Sequence, residues 1–167
     1  MNTPASSDDI PALTRQLAGL LLTKGQMMAT AESCTGGLIA GLLTEIPGSS
    51  ATVERGFIVY SNRAKEEMLN VPGDLIADAG AVSEPVVRAM AEGALEQSRA
   101  NLAVAVTGVA GPGGGTPLKP VGLVHLAVAR ENKPIFHQAM RFGDIGRDKV
   151  RRETIVTALE MLRKMMA

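Results

Sequence analysis

The sequence predicts an α/β fold, a three-layer α/β/α sandwich around a mostly parallel sheet with one antiparallel strand. Three observations support this. Apolar strand-like segments alternate with amphipathic helical segments along the chain. The segment Leu102–Thr107 is apolar throughout, which is typical of a central strand covered on both faces. The last two strand-like segments are joined by the short link Glu131–Pro134, which indicates a hairpin.

The predicted elements follow one another without an internal repeat or a linker. Asp8 or Asp9 can cap a first helix that has Pro11 in its opening turn and ends at Gly25. Apolar patterns predict strands over 27–30, 53–60, 102–107, 121–130 and 135–142. They predict helices after Gly37, after Asn62, from Ser83 to about Arg99 and from Gly146 onwards, with a turn at 71–74. We expect residues 1–10 to form a flexible tail and residues 11–167 a single domain.

The amino-acid composition argues against two classes of protein, nucleic-acid binders and membrane proteins. The chain has 17 basic and 17 acidic residues and only 2% aromatic residues, so a basic surface with interleaved aromatics for nucleic acid is not indicated. The single cysteine, Cys34, excludes an internal disulfide and fits a reducing compartment. The start is polar, and no apolar run approaches the roughly 20 residues that span a bilayer. We therefore expect a soluble, cytoplasmic protein without nucleic-acid or membrane partners.

The segment Thr30–Gly37 indicates chemistry, because it places Ser33 at a strand-to-helix turn. A serine there can be a nucleophile if a base removes its proton. No Ser-His-Asp set is apparent, so Lys65 is the natural candidate base, provided that its pKa falls from about 10.4 to about 7–8. Simple capping of the next helix by Ser33 or Thr35 is an equally weighted alternative. Cys34 could be the nucleophile instead, but we expect a buried, inert thiol.

Two further segments could bind an anion. The glycine-rich stretch Gly108–Gly115 matches neither a P-loop nor a dinucleotide fingerprint, so it is either a flexible connection or a backbone nest against a phosphate or sugar. Basic residues crowd the start of the last helix, where a bound anion would offset their unfavourable interaction with the helix dipole. We predict that Arg147 contacts substrate and that Arg151 and Arg152 are solvated. The two histidines are too few for a metal site, and we predict no metal and no cofactor.

Taken together, these motifs resemble the CinA C-terminal domain family. The resemblance runs from about residue 12 to the end and rests on six ordered segments: Ala31–Gly37, Gly48–Ser50, Tyr60–Lys65, Gly80–Ser83, Thr107–Pro112 and Lys119–Gly122. The family includes bacterial nicotinamide-nucleotide amidases. Some relatives carry this domain behind a larger N-terminal domain that this sequence lacks, so we expect a stand-alone amidase.

The resemblance implies a mixed five-stranded sheet and hydrolysis of nicotinamide mononucleotide to nicotinate mononucleotide and ammonia. It implies that Ser33 is the nucleophile and Lys65 the base. We expect Tyr60 either to orient Lys65 or to relay protons to it, and Ser50 is a second candidate for that role. The further expected substrate contacts are Thr35, Gly36, Gly37, Ser50, Thr107, Gly108, Gly111 and Arg147, with the N–H groups of Gly36 and Gly37 holding the oxyanion. We also expect a homo-oligomer, either a dimer or a trimer. A non-catalytic pyridine-nucleotide-binding module and an accessory role in DNA repair or competence are the alternatives.

Overall fold

The computed structural model describes residues 5–167 and contains one five-stranded sheet with strand order β2-β1-β3-β4-β5. The strands are β1 (Met28–Glu32), β2 (Val53–Ile58), β3 (Leu102–Gly108), β4 (Leu123–Arg130) and β5 (Phe136–Arg141). β1 pairs in parallel with β2 and β3, whereas β4 is antiparallel to both of its neighbours. Four strands therefore point the same way, which confirms the predicted mixed sheet with one antiparallel strand.

Six α-helices cover the two faces of this sheet within the described residues. They are α1 (Ile10–Thr23), α2 (Leu38–Thr44), α3 (Asn62–Leu69), α4 (Gly73–Ala79), α5 (Glu84–Glu96) and α6 (Arg147–Met166). α1, α2 and α6 enclose one apolar core with the side chains of even-numbered residues of β3, and α3, α4 and α5 enclose the other with the odd-numbered ones. The three-layer sandwich is thus confirmed, because β3 is buried on both faces as its unbroken apolar run predicts.

The N-terminal segment differs from the predicted tail over the part that the structure describes. Ser7–Asp9 form a 3-10 turn, in which Ser6 and Asp9 make reciprocal capping hydrogen bonds. α1 then begins at Ile10, which is buried in the core. Residues 1–4, the rest of that predicted tail, lie outside the described residues. Ile10, which the sequence pattern assigned to the tail, is therefore part of the apolar core.

One helix was not predicted. α4 begins at Gly73, inside the segment 71–74 that was expected to be only a turn, and it buries just Ile76. A seven-residue helix with one buried apolar side chain leaves almost no periodic pattern in the sequence. None of the described helices is long and apolar enough to cross a bilayer.

Candidate active site

A cavity of about 230 Å³ lies at the carboxyl ends of β1, β2 and β3. The predicted residues that line it come from the loops after β1 and β2, from the end of β3, and from α3 and α6: Ser33, Tyr60, Thr107, Gly108, Lys65 and Arg147. Cys34, Asn62, Ala81, Val82 and Ala110 complete the lining. In open parallel sheets this edge is the usual place for ligands, because the loops that follow neighbouring strands converge there.

Ser33 and Lys65 meet at the base of this cavity. Lys65 is carried by α3, whose first turn is capped by the Ser61 hydroxyl accepting the N–H of Ala64 at 3.0 Å. Its Nζ atom lies 3.2 Å from Ser33 Oγ, and it also donates to the carbonyl oxygens of Val59 at 2.9 Å and Tyr60 at 3.4 Å. The Lys65 side chain therefore points inward, towards Ser33, and not into solvent.

The burial of Lys65 lowers the pKa of its amine. The side chain is only 1% exposed, and no ion pair to it forms within residues 5–167. Burial lowers its pKa below the usual lysine value, because removing the ammonium from water disfavours the charged form. A lowered pKa is the direction that a lysine needs in order to act as a general base.

Tyr60 is placed differently from the expectation. Its phenol oxygen lies 3.0 Å from a guanidinium nitrogen of Arg147, and that guanidinium also donates to the carbonyl of Gly111 at 2.8 Å. The contact of Tyr60 with Lys65 is made by its main-chain carbonyl, not by the phenol. The structure therefore ties the Tyr60 ring to α6 and the glycine loop rather than to Lys65.

The start of the glycine-rich segment is packed, not a loose connection. Thr107 is buried and donates its hydroxyl to the carbonyl of Ala81 at 2.9 Å. A Cβ at Gly108 would lie 2.7 Å from Val124, and one at Gly111, where φ is +82°, would lie 2.6 Å from Val121. Close packing thus requires glycine at both positions: Gly108 packs against β4, and Gly111 packs against the segment that leads into β4.

Five of the expected substrate contacts do not line the cavity: Gly111, Thr35, Gly36, Gly37 and Ser50. Thr35 is fully buried and donates its hydroxyl to Glu32 at 2.7 Å. The N–H of Gly36 donates to the carbonyl of Ser33 at 3.1 Å, so the turn itself uses this group, and Gly37 precedes α2 with its φ at +100°. This corrects the expectation that the Gly36 N–H is free to hold an oxyanion.

Ser50 is also separate from the cavity. It is exposed in a 3-10 turn, Ser49–Ala51, that precedes β2. Because β1 and β2 run parallel, a residue that precedes β2 lies at the opposite edge of the sheet from Ser33, which follows β1. Within one chain the structure does not bring Ser50 to Ser33 and Lys65.

Sequence reasoning missed two charged side chains that hold the serine turn. The buried Glu32 carboxylate accepts the N–H groups of Ile39 at 2.9 Å and Ala40 at 3.1 Å, in addition to the Thr35 hydroxyl. Arg151, which was predicted to be solvated, is half-buried and donates to the carbonyls of Cys34 and Thr35. An acidic residue at the end of an apolar strand was the available signal for Glu32.

Cys34 agrees with the expectation of an inert thiol. It is 6% exposed, and burial raises its pKa to about 11. A protonated thiol is a poor nucleophile, so Ser33 is the better candidate at this turn. Across residues 5–167, no three His, Cys, Asp or Glu side chains gather in a way that could hold a metal ion.

The comparisons with known proteins identify the family. Residues 11–166 match the model of the CinA C-terminal domain, so the chain belongs to the CinA family. A CinA-like protein of Anaeromyxobacter sp. (strain K) is 49% identical over 93% of this chain, and another from Mycobacterium sp. (strain JLS) is 50% identical over 95%. The chain spans 37% of the length of each of these two relatives.

Solved structures agree with this assignment. The competence/damage inducible protein of Agrobacterium tumefaciens is 53% identical, with a TM-score of 0.94 over 100% of both chains. A CinA superfamily protein of Escherichia coli is 31% identical, with a TM-score of 0.91 over 98% of this chain and 94% of that one. The names of these proteins state a family and an inducible expression, and they name no reaction.

Proposed function

We propose that the protein is an amidohydrolase that converts nicotinamide mononucleotide to nicotinate mononucleotide and ammonia by a Ser/Lys mechanism. The observation that carries the proposal is the 3.2 Å approach of the buried Lys65 Nζ to Ser33 Oγ. The choice of substrate rests on the resemblance described above. A cavity with a buried serine–lysine pair at its base and Arg147 on its wall supports an amide substrate that carries an anionic group.

The contacts of Lys65 are compatible with a general base. A neutral amine has two N–H donors and one lone pair. The carbonyls of Val59 and Tyr60 can accept the two N–H groups, which leaves the lone pair for the hydroxyl proton of Ser33. The pair is thus arranged for proton transfer from serine to lysine as Ser33 Oγ attacks the carboxamide carbon.

In the remaining steps Lys65 acts first as an acid and then again as a base. Protonated Lys65 delivers its proton to the departing ammonia, leaving an ester between Ser33 and the nicotinate carbonyl. Water then attacks this ester while Lys65 accepts its proton, and Lys65 returns that proton to Ser33 Oγ as the ester bond breaks and nicotinate mononucleotide is released. The cationic pyridinium of the substrate would further favour the neutral form of Lys65.

The oxyanion needs donors other than Gly36. The backbone N–H of Cys34 directly follows the nucleophile, which is where a nucleophile turn supplies such a donor, and Cys34 lines the cavity. Arg147 is the candidate contact for the substrate phosphate, since its guanidinium lies at the cavity wall and is exposed to solvent.

The test is ammonia release from nicotinamide mononucleotide by the wild type, Ser33→Ala and the control Ser50→Ala. We expect release by the wild type and by Ser50→Ala, because Ser50 lies at the opposite edge of the sheet, and none by Ser33→Ala. Release by Ser33→Ala would place the nucleophile elsewhere. Binding of the nucleotide without release by any variant would favour the non-catalytic binding module.

A further inference from the structure

Arg151 has an environment unlike that of its neighbour on α6. Its Nε donates to the carbonyl of Cys34 at 3.1 Å and a terminal nitrogen to the carbonyl of Thr35 at 3.3 Å. Arg152, one residue later, is exposed and pairs with Asp148 at 3.1 Å. Arg151 lies 116 or more residues from the serine turn in the sequence, yet it donates to two carbonyls of that turn. It therefore holds the turn in addition to facing solvent.

The planarity of the peptide group turns these contacts into a constraint on the turn. In a trans peptide the C=O and N–H point in opposite directions. With the carbonyl of Cys34 held by Arg151, the N–H of Thr35 is directed away from α6. No backbone carbonyl among residues 5–167 accepts the N–H of Cys34, which follows Ser33 and lines the cavity, so this N–H is available to a ligand.

The turn is also held from its inner side. Glu32 accepts the Thr35 hydroxyl at 2.7 Å and two N–H groups at the start of α2. Arg151 acts on the carbonyls and Glu32 on the side chain and the helix start, so the Thr35 backbone is fixed from both sides. A donor fixed in advance stabilises developing charge without a reorganisation cost during the reaction.

We propose that Arg151 is a positioning residue for the reaction: by fixing the carbonyls of Cys34 and Thr35, it holds in place the turn that presents Ser33 and the Cys34 N–H to the substrate. This inference rests on the proposed amidase function. It assigns to α6 a role in the chemical step that is separate from the substrate contact assigned to Arg147.

The experiment compares Arg151→Gln and Arg151→Lys with the matched control Arg152→Gln. Steady-state rates of ammonia release give kcat and KM, calorimetric titration of nicotinate mononucleotide gives product affinity, and thermal unfolding gives Tm. We expect Arg151→Gln to lower kcat about 100-fold, the loss typical of one oxyanion donor, while KM and product affinity change less than about threefold. Arg151→Lys should recover part of kcat, because an ammonium keeps the charge but not the forked geometry. Arg152→Gln should match the wild type.

Other outcomes overturn the inference. If Arg151→Gln keeps wild-type kcat, or loses product affinity and Tm in proportion to kcat, Arg151 has no positioning role or only a structural one. If Arg151→Gln does not fold, Arg151→Lys decides, and a kcat within about twofold of wild type rejects the proposal. A silent wild type overturns the proposed function and this inference together, whereas an active wild type with an equally active Arg151→Gln overturns this inference alone.

Discussion

Lys65 is a buried amine whose function depends on its protonation state. Burial lowers its pKa, so the neutral, proton-accepting form appears at lower pH than for a free lysine. We expect kcat/KM to rise with pH and to reach its plateau below about pH 10.4, the usual lysine value. Lys65→Ala should lower kcat about 100- to 10,000-fold at pH 7–8. A variant that keeps near-wild-type turnover there would rule out the lysine base.

The same pKa shift affects stability. Between the folded-state pKa and the ordinary value of about 10.4, the unfolded chain holds a proton on Lys65 that the folded chain does not, so the free energy of unfolding rises with pH. Lys65→Met removes this contribution. Urea titrations of both proteins from pH 6 to 10 should show the wild type gaining stability relative to Lys65→Met as pH rises. A difference independent of pH would mean that Lys65 keeps its ordinary pKa.

A substitution at Tyr60 can distinguish the role of its phenol from the role of its main-chain carbonyl. Since Lys65 contacts the Tyr60 carbonyl and the phenol contacts Arg147, Tyr60→Phe keeps the lysine contact and removes the tie to α6. We expect kcat to stay within about threefold of wild type and KM to rise, because one hydrogen bond to a charged group is worth about 1.5–3 kcal/mol. Initial-rate kinetics on the mononucleotide check this. A collapse of kcat comparable to that of Lys65→Ala would instead support a phenol relay.

The residues of the site were predictable to the extent that their chemistry follows from local position. Ser33 and Lys65 stand just after apolar strands, and the parallel sheet brings such positions to one edge. The approach of Arg151 could not be predicted, because its position on α6 is over a hundred residues from the turn that it holds. In the sequence it looked like one more charge on an amphipathic helix.

Helices α3 and α5 make a close backbone approach that one glycine permits. A Cβ at Gly93 in α5 would overlap the carbonyl oxygen of Leu69 at the end of α3, whereas a Cβ at Gly19 in α1 would meet nothing within 4 Å. We expect Gly93→Ala to destabilise by about 1–3 kcal/mol through overpacking. Gly19→Ala should stabilise by up to about 1 kcal/mol through helix propensity. Urea midpoints of the two variants test this, and equal effects would show that α5 can shift away from α3.

Among the helices, those with an apolar pattern were predictable and α4 was not. α6 and β3 follow clear patterns of apolar residues, whereas α4 buries a single side chain and forms because packing between α3 and α5 supports it. Tertiary contacts decide such short helices, since fewer than about 12–15 residues are marginal alone. The start of α5 at Ser83 was predictable because its signal is local: the Ser83 hydroxyl accepts the N–H of Val86 three residues later.

The charge balance of the whole molecule bears on the DNA-related role that the names with competence and damage suggest. Seventeen basic residues balance seventeen acidic ones, and the arginines at the start of α6 are engaged with Tyr60, with the serine turn or with Asp148. A protein without an excess of unpaired basic side chains would neutralise few DNA phosphates, so the release of counterions would contribute little to binding. We expect no change in the anisotropy of a labelled DNA duplex at micromolar protein in 50 mM salt. Binding that weakens steeply at 200 mM salt would revive direct DNA contact, and Arg152→Gln would then be the first variant to test, since its side chain is exposed.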